Sequence, residues 1–285
     1  MRDDACLYAL LEAPFEHHEL IVQELVNPLA QRWRENPELD SLFFVRYSEP
    51  VWQVRFRILA GAEWIEREAR PLLAQTLESA PLESAIRHVG FATYDREFDR
   101  YGGPVGMALA ERLFHLDTMA CLDWLALERG GETRWTRREF VLLLVERYAD
   151  AMGFDAEGRL EFDRQGFQWA FDQGVWDEAH RARLDETFER NRRGLEALLG
   201  SDPPVSGSPA EQALVAEFVR ALAPVASELV AGLEAGTIQA HRPYLAWSLS
   251  HMFTNRMGIQ PPAEAILRYM AYRRHRDAVA PTPLP

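Results

Sequence analysis

The chain has 285 residues, 47% hydrophobic and 26% charged, enough for a packed core in one large domain or two small ones. Its formal net charge of -13 argues against a broad phosphate-tracking surface, and with it against direct nucleic-acid binding. All 31 basic side chains are arginine, which excludes a lysine Schiff base, a pyridoxal phosphate anchor and a Walker lysine.

The start, MRDDACLYALL, carries acids where a signal peptide needs a basic region, and no apolar run reaches membrane-spanning length. The expected residence is therefore cytoplasmic, without a membrane partner. Cys6 and Cys121 suggest neither a disulfide framework nor a thiolate zinc site. Cys6 to Leu11 is a short apolar run with strand character. From His18 to Trp33 the apolar residues Leu20, Ile21, Leu25, Leu29 and Trp33 fall at helical spacing, with Pro28 a candidate kink.

Phe43 to Ile58, FFVRYSEPVWQVRFRI, reads as two strands joined at Ser48, Glu49 and Pro50. Alternation puts Trp52, Val54, Phe56 and Ile58 on one face, and Gln53, Arg55 and Arg57 on the other. Two guanidinium groups about 7 Å apart repel unless water or an anion lies between them, and a carboxylate matches arginine's planar fork. The alternative is the solvated outer face of an antiparallel sheet.

Glu63 to Ser79 has an amphipathic helical pattern interrupted at Pro71, and His88 to Tyr94 resembles a strand. In YDREFDRYGG, Tyr94 to Gly103, Glu97 and Arg100 stand at i, i+3 and can pair if they share a helical turn; the alternative is an ordinary surface ion pair. Pro104 opens a helix that Gly130 and Gly131 stop. Thr136 and Glu139 form a capping box for the next helix. Arg159 to Leu199 is helical in two pieces, and Ser201 to Pro209 is a loop by composition.

Ser208, Pro209 and Glu211 cap a helix towards Glu234, while Pro243 to Met257 and Pro262 to Asp277 are helical. The tail APTPLP is expected to fray. In SLSHMFTNRMGI, His251 and Asn255 lie one turn apart and Gly258 suits a C-cap. A helical histidine is also a common structural residue. No HExxH pattern occurs, His17 and His18 are adjacent and poorly directed at one metal, and no metal site is expected. Residues 1–285 read as a single α+β domain, mostly helical with a small antiparallel sheet, 201–209 being the place for a division into two lobes.

Taken together, FFVRYSEPVWQVRFRI, YDREFDRYGG with AERLFHLDT after it, and SLSHMFTNRMGI followed by PPAEAILRYMAYR resemble the C-terminal domain of lantibiotic dehydratases. That domain also occurs as a stand-alone protein of thiopeptide biosynthesis. The resemblance runs in order from YALLEAP to Tyr272, and nothing in the sequence resembles the glutamylating part of the complete dehydratases.

The resemblance implies elimination of glutamate from glutamylated Ser or Thr of a precursor peptide, leaving dehydroalanine or dehydrobutyrine. Esterification replaces a hydroxide-like leaving group, conjugate acid pKa about 15.7, by a carboxylate near 4, so removing the Cα proton becomes the remaining barrier. By similarity, Arg55, Arg57 and Arg100 fall to the glutamyl carboxylate and the developing oxyanion, Glu97 orients Arg100, and His251 is the acid/base; Asn255, one turn from His251 on the same helix face, is expected to join the substrate-binding set. No cofactor is implied. The implied partners are the precursor peptide, leader plus glutamylated core, and a separate glutamyl-tRNA-dependent glutamylating protein.

Two rival readings stand beside this one. Some members of the family are pyridine synthases, which join two dehydroalanines and expel the leader peptide. A non-catalytic scaffold would use the arginines only to hold an acidic leader.

Overall fold

The computed structural model describes residues 4–200 and 206–279. Part of the loop expected at 201–209, and the whole tail expected to fray, lie outside the described residues. As the sequence predicts, the fold is mostly helical, 65%, with one small four-stranded antiparallel sheet. The chain forms two compact units, one of Met1–Glu97 with Ala110–Ala126, the other of Phe98–Leu109 with Leu127–Pro285.

The first unit is built on the sheet. Strands β1 (Asp4–Glu12), β2 (Leu39–Tyr47), β3 (Gln53–Gly61) and β4 (His88–Phe91) stand in the order β2-β3-β1-β4. Two helical segments, α1 (residues 15–33) and α2 (residues 62–79), cover the face carrying Val54, Phe56 and Ile58, all fully buried. Trp33 and Trp64 join the two segments, ring centroids 5.4 Å apart.

Both segments contain a wide π turn, Val22–Val26 before Pro28 and Ile65–Ala69 before Pro71. Proline has no N–H to donate back along the helix, and the wide turn lets the chain continue without a break. Trp52, expected in the second strand, sits instead in the β2–β3 connection, where it meets Phe15 and His18.

The second unit is helical. Helix α3 (Pro104–Arg129) contributes its first and last turns to this unit and its middle to the first. Helix α4 (Arg137–Ala151) starts at the predicted Thr136–Glu139 capping box, with the Thr136 amide donating to Glu139 at 2.7 Å. The stretch expected as two helical pieces is three: α5 (Ala156–Gln165), α6 (Gln168–Asp172) and α7 (Glu178–Leu199). Gly166 and Gly174 supply the punctuation.

Helix α8 (Pro209–Glu234) starts at the Ser208–Glu211 box. The buried Glu211 also accepts from the amides of Arg134 and Trp135, tying this start to that of α4. Helices α9 (Arg242–Arg256) and α10 (Pro261–Val279) complete the unit. Gly258, at φ 76°, occupies the left-handed position that ends α9, as its sequence placement predicts. Among the described residues no helix is long and apolar enough to cross a membrane.

Candidate active site

In the first unit, β3 brings Arg55 and Arg57 to the same sheet face. Register sets their neighbours: Arg57 lies between Tyr8 and Phe43, and Arg55 between Leu10 and Val45. This is not a solvated outer face. Tyr8, Phe43 and Val45 are 7%, 2% and 4% exposed, and Phe114 of α3 packs on Phe43 at 5.2 Å.

The Arg57 guanidinium sits in an aromatic cage, its Cζ 4.2 Å from the Tyr8 ring, 4.8 Å from Tyr94 and 5.6 Å from Phe43. Its Nη2 donates to the Tyr8 hydroxyl at 3.1 Å. Arg55 lies 3.5 Å over Tyr47 and donates to the Glu49 carbonyl at 3.1 Å. Neither arginine pairs with a carboxylate among the described residues, and the Nε of each is buried without an acceptor. Burial pushes the neighbouring Tyr94 phenol far above its usual range and the Cys6 thiol up to about 11. Glu97 ends the first segment of this unit, directly before the turn that carries Arg100.

In the second unit, Arg100 stands in a tight turn closed by the Gly103 amide donating to the Phe98 carbonyl at 2.8 Å. Gly102, φ 76°, is required there, because a Cβ would meet Ile238 at 2.7 Å. Arg100 Nε donates to the buried Ser248 hydroxyl at 2.6 Å, and Ser248 precedes His251 by one turn of α9. Arg100 and His251, distant in sequence, are thus served by neighbouring turns of one helix. Asn255 follows one turn later, half-buried.

His251 is fixed on two sides. Trp247 stacks on its ring, centroids 5.5 Å apart, and its Nδ1 lies 2.6 Å from Oε2 of Glu264 on α10. A carboxylate only accepts, so in this contact Nδ1 carries the hydrogen. Burial alone would raise the Glu264 pKa, but the charges and hydrogen bonds of His251 and Arg268 hold it below the usual carboxylate range. Ser248, Glu264 and Tyr8 are contacts of Arg100, His251 and Arg57 that sequence reasoning missed. Glu264 and Arg268 stand at i, i+4 in PPAEAILR, a local pairing signal; Tyr8 faces Arg57 only through strand register.

A second buried cluster lies apart from His251 in sequence. Glu146, Asp163 and His275 have the ligand types and spacing of a cation site. Both imidazole nitrogens are already engaged, Nδ1 with Asp163 at 2.8 Å and Nε2 with Glu146 at 3.1 Å. Burial would lower the His275 pKa, yet the two carboxylates lift it to about 10, so the ring is the cation.

A small four-stranded antiparallel sheet carrying an arginine pair, in a chain otherwise helical, defines a mostly helical class of α+β protein. The chain belongs to the family of lantibiotic biosynthesis dehydratase C-terminal domains, whose profile matches residues 7–275. Its fold is similar to that of the tRNA-dependent lantibiotic dehydratase MibB from Microbispora sp. 107891, with TM-score 0.70, 18% identity and 97% of this chain covered. The chain spans 28% of that protein.

It is equally similar to TbtD, the pyridine synthase of thiomuracin biosynthesis, with TM-score 0.70, 16% identity, and 96% of this chain and 98% of that one covered. TsrL matches less well, with TM-score 0.53, 16% identity, and 96% and 95% covered. No curated protein matches the chain.

Proposed function

We propose that the protein eliminates glutamate from glutamylated Ser or Thr of a ribosomal precursor peptide, a carbon–oxygen lyase reaction that leaves dehydroalanine or dehydrobutyrine. The observation that carries this reading is the His251–Glu264 pair at 2.6 Å, with Arg100 held by Ser248 one turn before His251. His251 Nε2 takes the Cα proton, the Cα electrons form the Cα–Cβ double bond, and the Cβ–O bond breaks with its electron pair leaving on the glutamyl carboxylate. Arg100 stabilises the enolate-like oxygen that develops as the proton leaves, and Glu97 orients Arg100.

Arg55 and Arg57 hold the glutamyl carboxylate. Their buried Nε donors lack acceptors, and a bidentate carboxylate satisfies such groups. The Tyr8 hydroxyl and the aromatic cage hold the Arg57 plane in place for it. Asn255 contacts the peptide. On this reading the chain works with a precursor carrying a leader and a glutamylated core, and with a glutamyl-tRNA-dependent activity that supplies the ester; it needs no metal or organic cofactor.

Pyridine synthesis is the second reading, favoured by the end-to-end similarity to TbtD. A substitution separates the two. His251→Ala should depress elimination by roughly 100-fold or more while the glutamylated peptide still binds. Turnover at the parent rate would remove His251 from the chemistry. Conversion of a didehydrated peptide to a pyridine macrocycle, with glutamylated peptide left untouched, would establish the synthase.

A further inference from the structure

Arg268 is 1% exposed, on α10, one turn after Glu264. Its Nη2 donates to Glu264 Oε1 at 3.2 Å and to the Ser250 hydroxyl at 2.8 Å, Ser250 being the residue before His251 on α9. One nitrogen therefore grips both the carboxylate behind His251 and the helix that carries His251. The guanidinium lies 4.9 Å over the Phe162 ring, while Nε and Nη1 are buried without acceptors. For packing alone this is a poor choice, because a buried arginine with idle donors is commonly less stabilising than an apolar residue of similar volume.

The chain also keeps space open for this side chain. A Cβ on Gly166 would fall 2.4 Å from Arg268 Cγ and 3.0 Å from its Cβ and Cδ. Gly166 has φ -78°, an ordinary conformation for any residue, so glycine serves the passage of the Arg268 stem and not the backbone.

We infer that Arg268 is a positioning residue for the reaction: acting through Glu264, it fixes the orientation and tautomer of His251. This inference rests on the elimination reading. Glu264 is engaged through both oxygens, Oε2 by His251 and Oε1 by Arg268, and Arg268 is the buried cation of the two partners. Without Arg268, the carboxylate has no fixed cation on its second oxygen, and it is free to rotate or take a proton. Either change releases Nδ1 of His251, and small misplacements of a catalytic group cost large factors in rate.

The test is a double-mutant cycle on the full chain with glutamylated peptide, using Arg268→Met, Glu264→Gln and the pair. Arg268→Met should lower kcat by about 10-fold to 100-fold with KM within about 2-fold, and the pair should be no slower than Glu264→Gln alone. Gly166→Ala displaces the same stem without removing the charge and should give the same kcat loss and the same non-additivity; it decides the matter if Arg268→Met does not fold. Parent kcat in either folded variant, or losses that multiply with Glu264→Gln, would overturn the inference. Nitrogen-15 NMR of the His251 ring gives a readout independent of turnover. The parent should hold hydrogen on Nδ1 and the Arg268→Met protein should lose that preference. An unchanged ring would sink the relay, whereas a parent protein that does not eliminate glutamate would sink only the reaction assigned to it.

Discussion

Replacing His275 by glutamine tests whether the Glu146–Asp163–His275 cluster is held together by a buried imidazolium. Glutamine keeps much of the bulk but removes the cation from between two carboxylates that are 6% and 0% exposed. Breaking a buried ion pair by removing one partner costs about 3–5 kcal/mol. Arg159 remains 3.4 Å from Glu146, which places the expected loss near the lower end, about 3 kcal/mol at pH 7.

The pH dependence gives the cluster a signature. In the parent the His275 pKa is raised from 6.5 to about 10, so its stabilisation is fully present below about pH 6.5 and disappears as pH rises through 10. Burial raises Asp163 from 3.8 to about 6, so its ionised form opposes folding above that pH and the strain is relieved as pH falls through 6 towards 3.8. Loss of His275 removes a counter-charge from Asp163, making protonation the main way to neutralise it. The gap between parent and His275→Gln should therefore narrow from pH 7 to pH 5, and close again above pH 10, where the parent loses its own cation. Urea unfolding followed by tryptophan fluorescence measures it. A variant within about 0.5 kcal/mol of the parent at pH 7, or a gap identical at pH 5 and pH 7, would refute the clamp.

Arg57→Lys keeps the charge but loses the planar fork and the stacking against Tyr8 and Tyr94, so the elimination rate should fall by about 10-fold or more; full activity would place Arg57 outside substrate binding. Gly102→Ala forces a side chain into a left-handed position against Ile238, and should destabilise the fold by about 1–3 kcal/mol while lowering the elimination rate through a displaced Arg100, read by chemical unfolding and turnover. Thr136→Ala removes one side of a capping box and should cost about 1 kcal/mol in unfolding free energy without changing turnover.

Local chemistry made much of the fold legible. Thr136 with Glu139, Ser208 with Glu211, and Gly258 each announce a helix end because capping is decided within a few residues. Alternation in VRFR put Arg55 and Arg57 on one strand face, which the strand bears out. What surrounds that face was not legible: Tyr8, Phe43 and Phe114 come from β1, β2 and α3, and their approach to Arg57 depends on register and long-range packing.

Trp52 was misplaced because its apolar character fits the strand pattern, whereas the connection beyond Tyr47 runs through it and sets its ring against Phe15 and His18 while leaving it 38% exposed. His251 was singled out by its helix spacing and the family resemblance, but its contact with Glu264 was not foreseen, since it crosses from α9 to α10. The buried Arg268 was hidden for a further reason: charged residues are read as surface, and its burial follows from Glu264, Ser250 and the space at Gly166.

The most direct test of the proposed reaction gives the purified chain a synthetic peptide bearing a single glutamyl ester on serine and follows the peptide mass with time. Elimination predicts loss of one glutamate per peptide, formation of dehydroalanine, and dependence on His251. A glutamyl peptide that stays intact in the presence of the folded parent protein would contradict it.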